Sequence, residues 1–179
     1  MNSSEIIKFW FEEIDEKQWW RKDPLFDRQL GERFAQVPAG AQRCELFEWR
    51  SSAHGRLAEI IVLDQFSRNI YRDTPLAFAN DPLALALAQE AVLAKADLEL
   101  GARERAFFYM PYMHSESLLI HETAKRLFQS NGTQDNLEFE LRHKKIIERF
   151  GRYPHRNAIL GRTSTPDEAA FLETPGSSF

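Results

Sequence analysis

Apolar residues recur at steps of three and four along almost the whole chain, and no segment alternates apolar with polar residues. A period near 3.6 buries one face of a helix, whereas a half-buried strand needs a period of two. The pattern predicts an all-α fold with no sheet. Short breaks between the helical stretches predict antiparallel helix hairpins packed into a compact array. The 179 residues suit a single domain, 1–179, and no fixed-period repeat is visible.

The helix boundaries follow from capping chemistry. Ser4 is read as the cap of a helix reaching about Ile14, with Ile6, Phe9, Trp10 and Ile14 on one stripe. Asp23-Pro24 opens the next, with Phe26, Leu30 and Phe34 facing inward. Val37-Pro38-Ala39-Gly40 reads as a break, followed by a short helix from Gln42 to Trp49. Leu57, Ile60, Ile61, Asp64 and Arg68 mark a helix from about Ala53 to Asn69. Thr74-Pro75 and Asp81-Pro82 repeat the cap-then-proline signature, the second opening a helix to about Ala96. Pro111 is expected to end a segment that starts at Arg103, because a residue before proline disfavours the helical region. Further helices are expected from Ser115 to Gln129, from Asp135 to Phe150 with Gly151 as terminator, and from Thr165-Pro166 to about Glu173. The tail from Pro175 looks loosely held, apart from a terminal ring, Phe179, that could dock.

Composition narrows the function classes. Hydrophobic residues make up 43%, with 14 Phe, 4 Trp and 4 Tyr, which excludes a disordered tail. No run of about 18 apolar residues predicts a membrane span. The start, Met1 to Glu5, lacks the basic and apolar regions of a signal peptide, so the expected compartment is the cytoplasm. A single cysteine, Cys44, excludes an intramolecular disulfide framework and a cysteine-rich zinc site. The net charge of −4 argues against nucleic acid as a partner. That average hides a contrast. Residues 142–162 carry seven Lys/Arg and one acid, so this stretch is +6 and the rest of the chain stands at −10.

Three motifs could carry chemistry. In Leu63-Asp64-Gln65-Phe66-Ser67-Arg68-Asn69, Asp64 shares the apolar stripe of Ile60 and Ile61, and Arg68 lies one turn on. A buried carboxylate needs a partner, so this is either a structural ion pair or an acceptor at a pocket wall. In Tyr109-Met110-Pro111-Tyr112-Met113-His114-Ser115-Glu116, His114 or Ser115 would cap a helix. Glu116 would then sit in its first turn, on an inward stripe with Leu119, Ile120, Thr123 and Leu127. The third, Arg149 to Asn157 with Gly161-Arg162, turns sharply and displays Arg152, Tyr153, His155, Arg156 and Asn157. Arginine forks fit carboxylate or phosphate, and several close together call for acids or an anionic ligand. His143 falls on the stripe of Phe139, Ile146, Ile147 and Phe150, as a core histidine would. His54 and His121 have no supporting context. Glu140-Leu141-Arg142-His143 lacks the second Glu-x-x-His of a di-iron bundle, and no metal or cofactor is expected. Ser67 and Ser115 are weak nucleophile candidates.

The three motifs, with Phe9-Trp10-Phe11, Trp19-Trp20 and the stretch from Leu160-Gly161-Arg162 onward, resemble the signatures of a bacterial family of unknown function, DUF 924. The resemblance covers nearly the whole chain. It implies a tetratricopeptide-like superhelix of hairpins and carries over no catalytic residue. In that family proline is usual where Ser67 stands, which weakens Ser67 as a nucleophile, and phenylalanine where Tyr153 stands.

The residues together predict a polar pocket for a small anionic molecule, with hydrolase or transferase activity. Arg68, Arg152 and Arg156 would clamp the anion, with Asn69 and Asn157 as further ligand contacts. His114 or His155 would act as general acid or base, oriented by Asp64 or Glu116, and Tyr109 and Tyr153 would shape the wall. The alternative is a peptide- or protein-binding helical scaffold whose polar motifs are structural.

Overall fold

A computed structural model describes residues 2–178, and Phe179 lies outside them. The described residues contain helices and turns and no strand, so the fold is all-α. The helices are α1 (Ser3–Lys8), α2 (Pro24–Arg33), α3 (Val37–Gln42), α4 (Ala53–Ile61), α5 (Ser67–Ile70), α6 (Asp81–Leu93), α7 (Ala102–Met113), α8 (Leu118–Asn131), α9 (Gln134–Phe150) and α10 (Pro166–Leu172). Helix α4 sits centrally, packed on α1, α6 and α7. Beyond it, α7 packs on α8 and α8 on α9.

Several boundaries depart from the sequence expectation. Asn2, not Ser4, caps α1: its side chain accepts the Glu5 N–H while Glu5 reaches back to the Asn2 N–H. The first helix then widens into a π turn, Phe9–Glu13, ending before Ile14. The expected break at Val37-Pro38-Ala39-Gly40 is itself helix α3, because Pro38 is pre-set for a first turn and Val37, Pro38, Gly40 and Ala41 are buried. Between Gln42 and Trp49 only a 3-10 turn forms, Phe47–Ser51. Pro111 does not end α7, which continues to Met113. Residues 106–113 are all buried, and their packing outweighs the roughly 3 kcal/mol that an interior proline costs. Leu119 and Phe139, expected to face inward, are exposed. The last turn behaves as read: Thr165 and Glu168 form a capping box around Pro166. The tail is not loose at Ser177, which is buried and donates to the Leu172 carbonyl.

Ser52 caps α4 by accepting the Gly55 N–H. A Cβ at Gly55 would stand 1.9 Å from the Trp49 carbonyl oxygen, so this approach requires glycine. The expected single helix from Ala53 to Asn69 is interrupted by a second π turn, Val62–Phe66. The two π turns meet, with Phe9 packed edge-on against Phe66 at 6.2 Å.

The main core runs from Ile6 to Phe128 and joins α1, α2, α4, α6, α7 and α8. A second, small cluster of Ile146, Ile147 and Tyr153, flanked by Phe150 and Phe171, holds the C-terminal segment together.

Candidate functional site

The second π turn places Asp64 in the interior, 1% exposed, where an unpaired carboxylate would be costly. Three groups meet it. Gln65 Nε2 donates to Oδ2 at 2.6 Å, Arg68 Nη1 lies 3.0 Å from Oδ1, and His114 Nδ1 lies 2.7 Å from Oδ1. Burial pushes the Asp64 carboxyl up, but Arg68 and His114 outweigh it and hold the group below its ordinary value. His114 closes the C-terminus of α7 and still reaches the surface, its side chain 14% exposed. Burial and then the Arg68 charge lower its pKa, against the pull of Asp64. The ring is therefore neutral at pH 7. Nδ1–H donates to Asp64, and Nε2 keeps its lone pair.

Sequence reasoning missed the keystone, Asp81. It was read as a helix cap, but it is the first residue of α6, and its side chain does not cap. Its carboxylate accepts both Nη groups of Arg68, at 2.8 and 3.0 Å, and Arg156 Nη1 at 3.0 Å. Arg156 also donates to the His114 carbonyl at 3.0 Å and lies between the rings of Phe78 and Tyr153, at 4.6 and 4.7 Å. Asp64, Arg68, His114 and Arg156, drawn from all three motifs, thus meet around Asp81. Two acids face two arginines, and the group carries no surplus positive charge.

The other expected residues serve neighbouring contacts. Glu116 precedes α8 instead of lying in its first turn. It accepts the Tyr153 N–H at 2.8 Å and both Nη groups of Arg162 at 2.7 and 2.9 Å. Arg152 points away, donating twice to Glu168 and once to the Thr163 carbonyl. Asn157 donates to Ser164. Asn69 donates to the Gln65 carbonyl and accepts from Arg72, which pairs with Asp27 on α2. Tyr109 donates to Asp97 at 2.6 Å, in a separate polar contact. The local charge excess of residues 142–162 is therefore met from elsewhere: Arg149 by Asp167, Arg152 by Glu168, Arg156 by Asp81 and Arg162 by Glu116.

His121, which had no sequence context, is fully buried. It contacts Glu140 Oε1 at 2.8 Å, the Ser115 carbonyl at 2.8 Å and the Tyr153 hydroxyl at 3.2 Å. Tyr153 in turn donates to the Met113 carbonyl. Burial raises the Glu140 pKa, against the lowering pull of the His121 contact. His155 lies tilted on Tyr153 at 5.6 Å, and His143 meets the same ring edge-on at 5.9 Å. Among the described residues no group of three or more His, Cys, Asp or Glu is placed to hold a metal ion. No described helix is long and apolar enough to cross a membrane.

Residues 6–176 match the family described as "Bacterial protein of unknown function (DUF924)". A solved structure of a protein of unknown function from Agrobacterium tumefaciens is 38% identical and superposes with a TM-score of 0.91, covering 96% of each chain. No curated protein matches.

Proposed function

The chain belongs to this bacterial family of unknown function, DUF924, and from that premise we propose that it binds a small anionic molecule over His114 and uses that imidazole as a general base. The reaction class is hydrolysis or group transfer, and the compartment is the cytoplasm. One observation carries the reading: a buried carboxylate, Asp64, holds His114 Nδ1 at 2.7 Å while the same ring remains partly open to solvent. That arrangement fixes the tautomer and aims a basic nitrogen outward, as a general base requires. Arg68 supplies the anion contact. Its Nη groups are spent on Asp64 and Asp81, and its Nε makes no intramolecular hydrogen bond among the described residues. The site is charge-balanced, so the anion is bound through donors and not through net charge.

The test pairs binding with turnover. Histidine ring resonances are followed while inorganic phosphate is added, and p-nitrophenyl phosphate and p-nitrophenyl acetate are offered as substrates. Phosphate is expected to move the His114 signals, and His114→Gln to lower turnover at least about 100-fold with little change in Tm. Unmoved His114 signals together with equal rates in the variant would overturn the proposal.

A second reading is favoured by the pairing of Arg149, Arg152, Arg156 and Arg162 with carboxylates. In it the polar motifs brace a helical scaffold that binds a peptide or protein. Asp64→Asn would then lower Tm, while His114→Gln would change nothing measurable in solution chemistry.

A further inference from the structure

The groups that would meet a ligand at His114 are nearly closed off. The side chains of His114, Arg68 and Asp81 are 14, 17 and 16% exposed. An opening of that size admits water but does not seat a phosphate against both His114 and Arg68, because a ligand site surrounds most of its occupant.

One stretch of chain, between α9 and α10, grips the turn that carries the imidazole. The Tyr153 hydroxyl donates to the Met113 carbonyl at 2.5 Å, and Arg156 Nη2 donates to the His114 carbonyl at 3.0 Å. The Tyr153 N–H and both Nη groups of Arg162 converge on Glu116. Arg156 Nη1 reaches across to Asp81 at 3.0 Å, with its guanidinium 4.6 Å from the Phe78 ring centroid.

This stretch is held to the rest of the molecule mainly by polar contacts. Tyr153 belongs to the small apolar cluster with Ile146 and Ile147, not to the main core. Contacts that water can replace open at a lower free energy than a packed core. Gly151 and Gly161 stand at its two ends with φ of +69° and +66°, where the backbone can turn.

We propose that residues 151–162 form a lid over His114 that swings away to admit a ligand, with the Glu116–Arg162 and Asp81–Arg156 pairs as its latches. The inference rests on His114 as the reacting base and adds what controls access to it.

The probe is diethyl pyrocarbonate, which acylates neutral imidazoles, applied to the whole protein with the modified histidines resolved by peptide mass. His54, more than half exposed, is the reference. His114 is expected to react at least about 100-fold more slowly than His54, at a rate set by opening of the lid. The Tyr153 N–H, held by Glu116, reports that opening through hydrogen exchange. In urea below the unfolding transition, His114 acylation and Tyr153 exchange are expected to rise with one slope, shallower than that of α4. Arg162→Gln is expected to speed both several-fold and leave His54 unchanged. Phe171→Ala, which loosens the Phe150–Phe171 contact behind the lid, is expected to do the same. His114 reacting as fast as His54, staying slow while Tyr153 exchange rises, or following α4 instead of Tyr153 would overturn the inference. If Arg162→Gln fails to fold, Phe171→Ala and the urea series decide. No step uses turnover, so inert nitrophenyl esters beside a His114 that the lid releases would sink the proposed chemistry and leave the lid standing.

Discussion

His143 and His155 are both held down to a pKa of about 3 by burial, and in His155 the charges of Arg156 and Arg68 add to the effect. Both values lie below the ordinary 6.5, so their contribution to stability is complete above that pH and is lost as pH falls toward 3. Within that window each histidine should cost about 1.4 kcal/mol per pH unit. Urea midpoints measured between pH 7 and pH 4 should fall steadily, and His143→Gln should flatten the slope. A midpoint independent of pH would contradict the placement of both rings. Asp64 behaves differently, because it is buried as a charge. Asp64→Asn leaves His114 and Arg68 short of a carboxylate and should lower the unfolding free energy by about 3 kcal/mol or more, checked by thermal melts. At this scale the sequence showed Asp64, Arg68 and His114 but not their meeting point. Asp81 looked complete as a cap before proline, so nothing local called for a partner 13 or 75 residues away. His121 hid for the same reason: its partner Glu140 lies on another helix.

Helix α4 begins at a contact that only glycine permits. In an exposed helix interior alanine would gain about 1 kcal/mol over glycine. At position 55 the Trp49 carbonyl blocks the methyl group, so Gly55→Ala should instead cost about 2 kcal/mol, read from the Tm. Helix α10 hangs on Glu168, whose carboxyl is brought down to about 2 by the Arg152 guanidinium and the Thr165 N–H. Glu168→Gln should speed hydrogen exchange across residues 166–172 and leave α4 protected. Caps and terminators were the most legible elements: Thr165-Pro166 and Gly151 stand where the sequence put them, the glycine with φ of +69°. The π turns were not legible. An extra residue in a turn changes no local pattern, yet it decides which way Asp64 points. Helix α3 was misread because proline and glycine usually mark a break, whereas here burial of Val37 and Ala41 supports the turn.

Across the whole molecule, two apolar clusters of unequal size are fastened to each other largely by polar contacts. Tyr153 to Met113, Arg162 to Glu116 and Arg156 to Asp81 tie the small C-terminal cluster to the main core. Asp81→Asn would leave Arg68 and Arg156 with a single carboxylate between them. The cost should be about 3 kcal/mol, at the lower end for a buried pair because Asp81 keeps 16% exposure. Hydrogen exchange should then rise first in residues 151–172 and only later in α4 and α7. Equal loosening everywhere would deny the division. The charge contrast in the sequence acquires its meaning here, since the basic stretch supplies counter-ions to acids at 81, 116, 167 and 168. Synthesis runs from one end only, so Asp81 and Glu116 are made before Arg156 and Arg162 exist. The nascent chain therefore waits as an acidic, incompletely clasped body, and the fold locks when the basic stretch is free to meet those carboxylates.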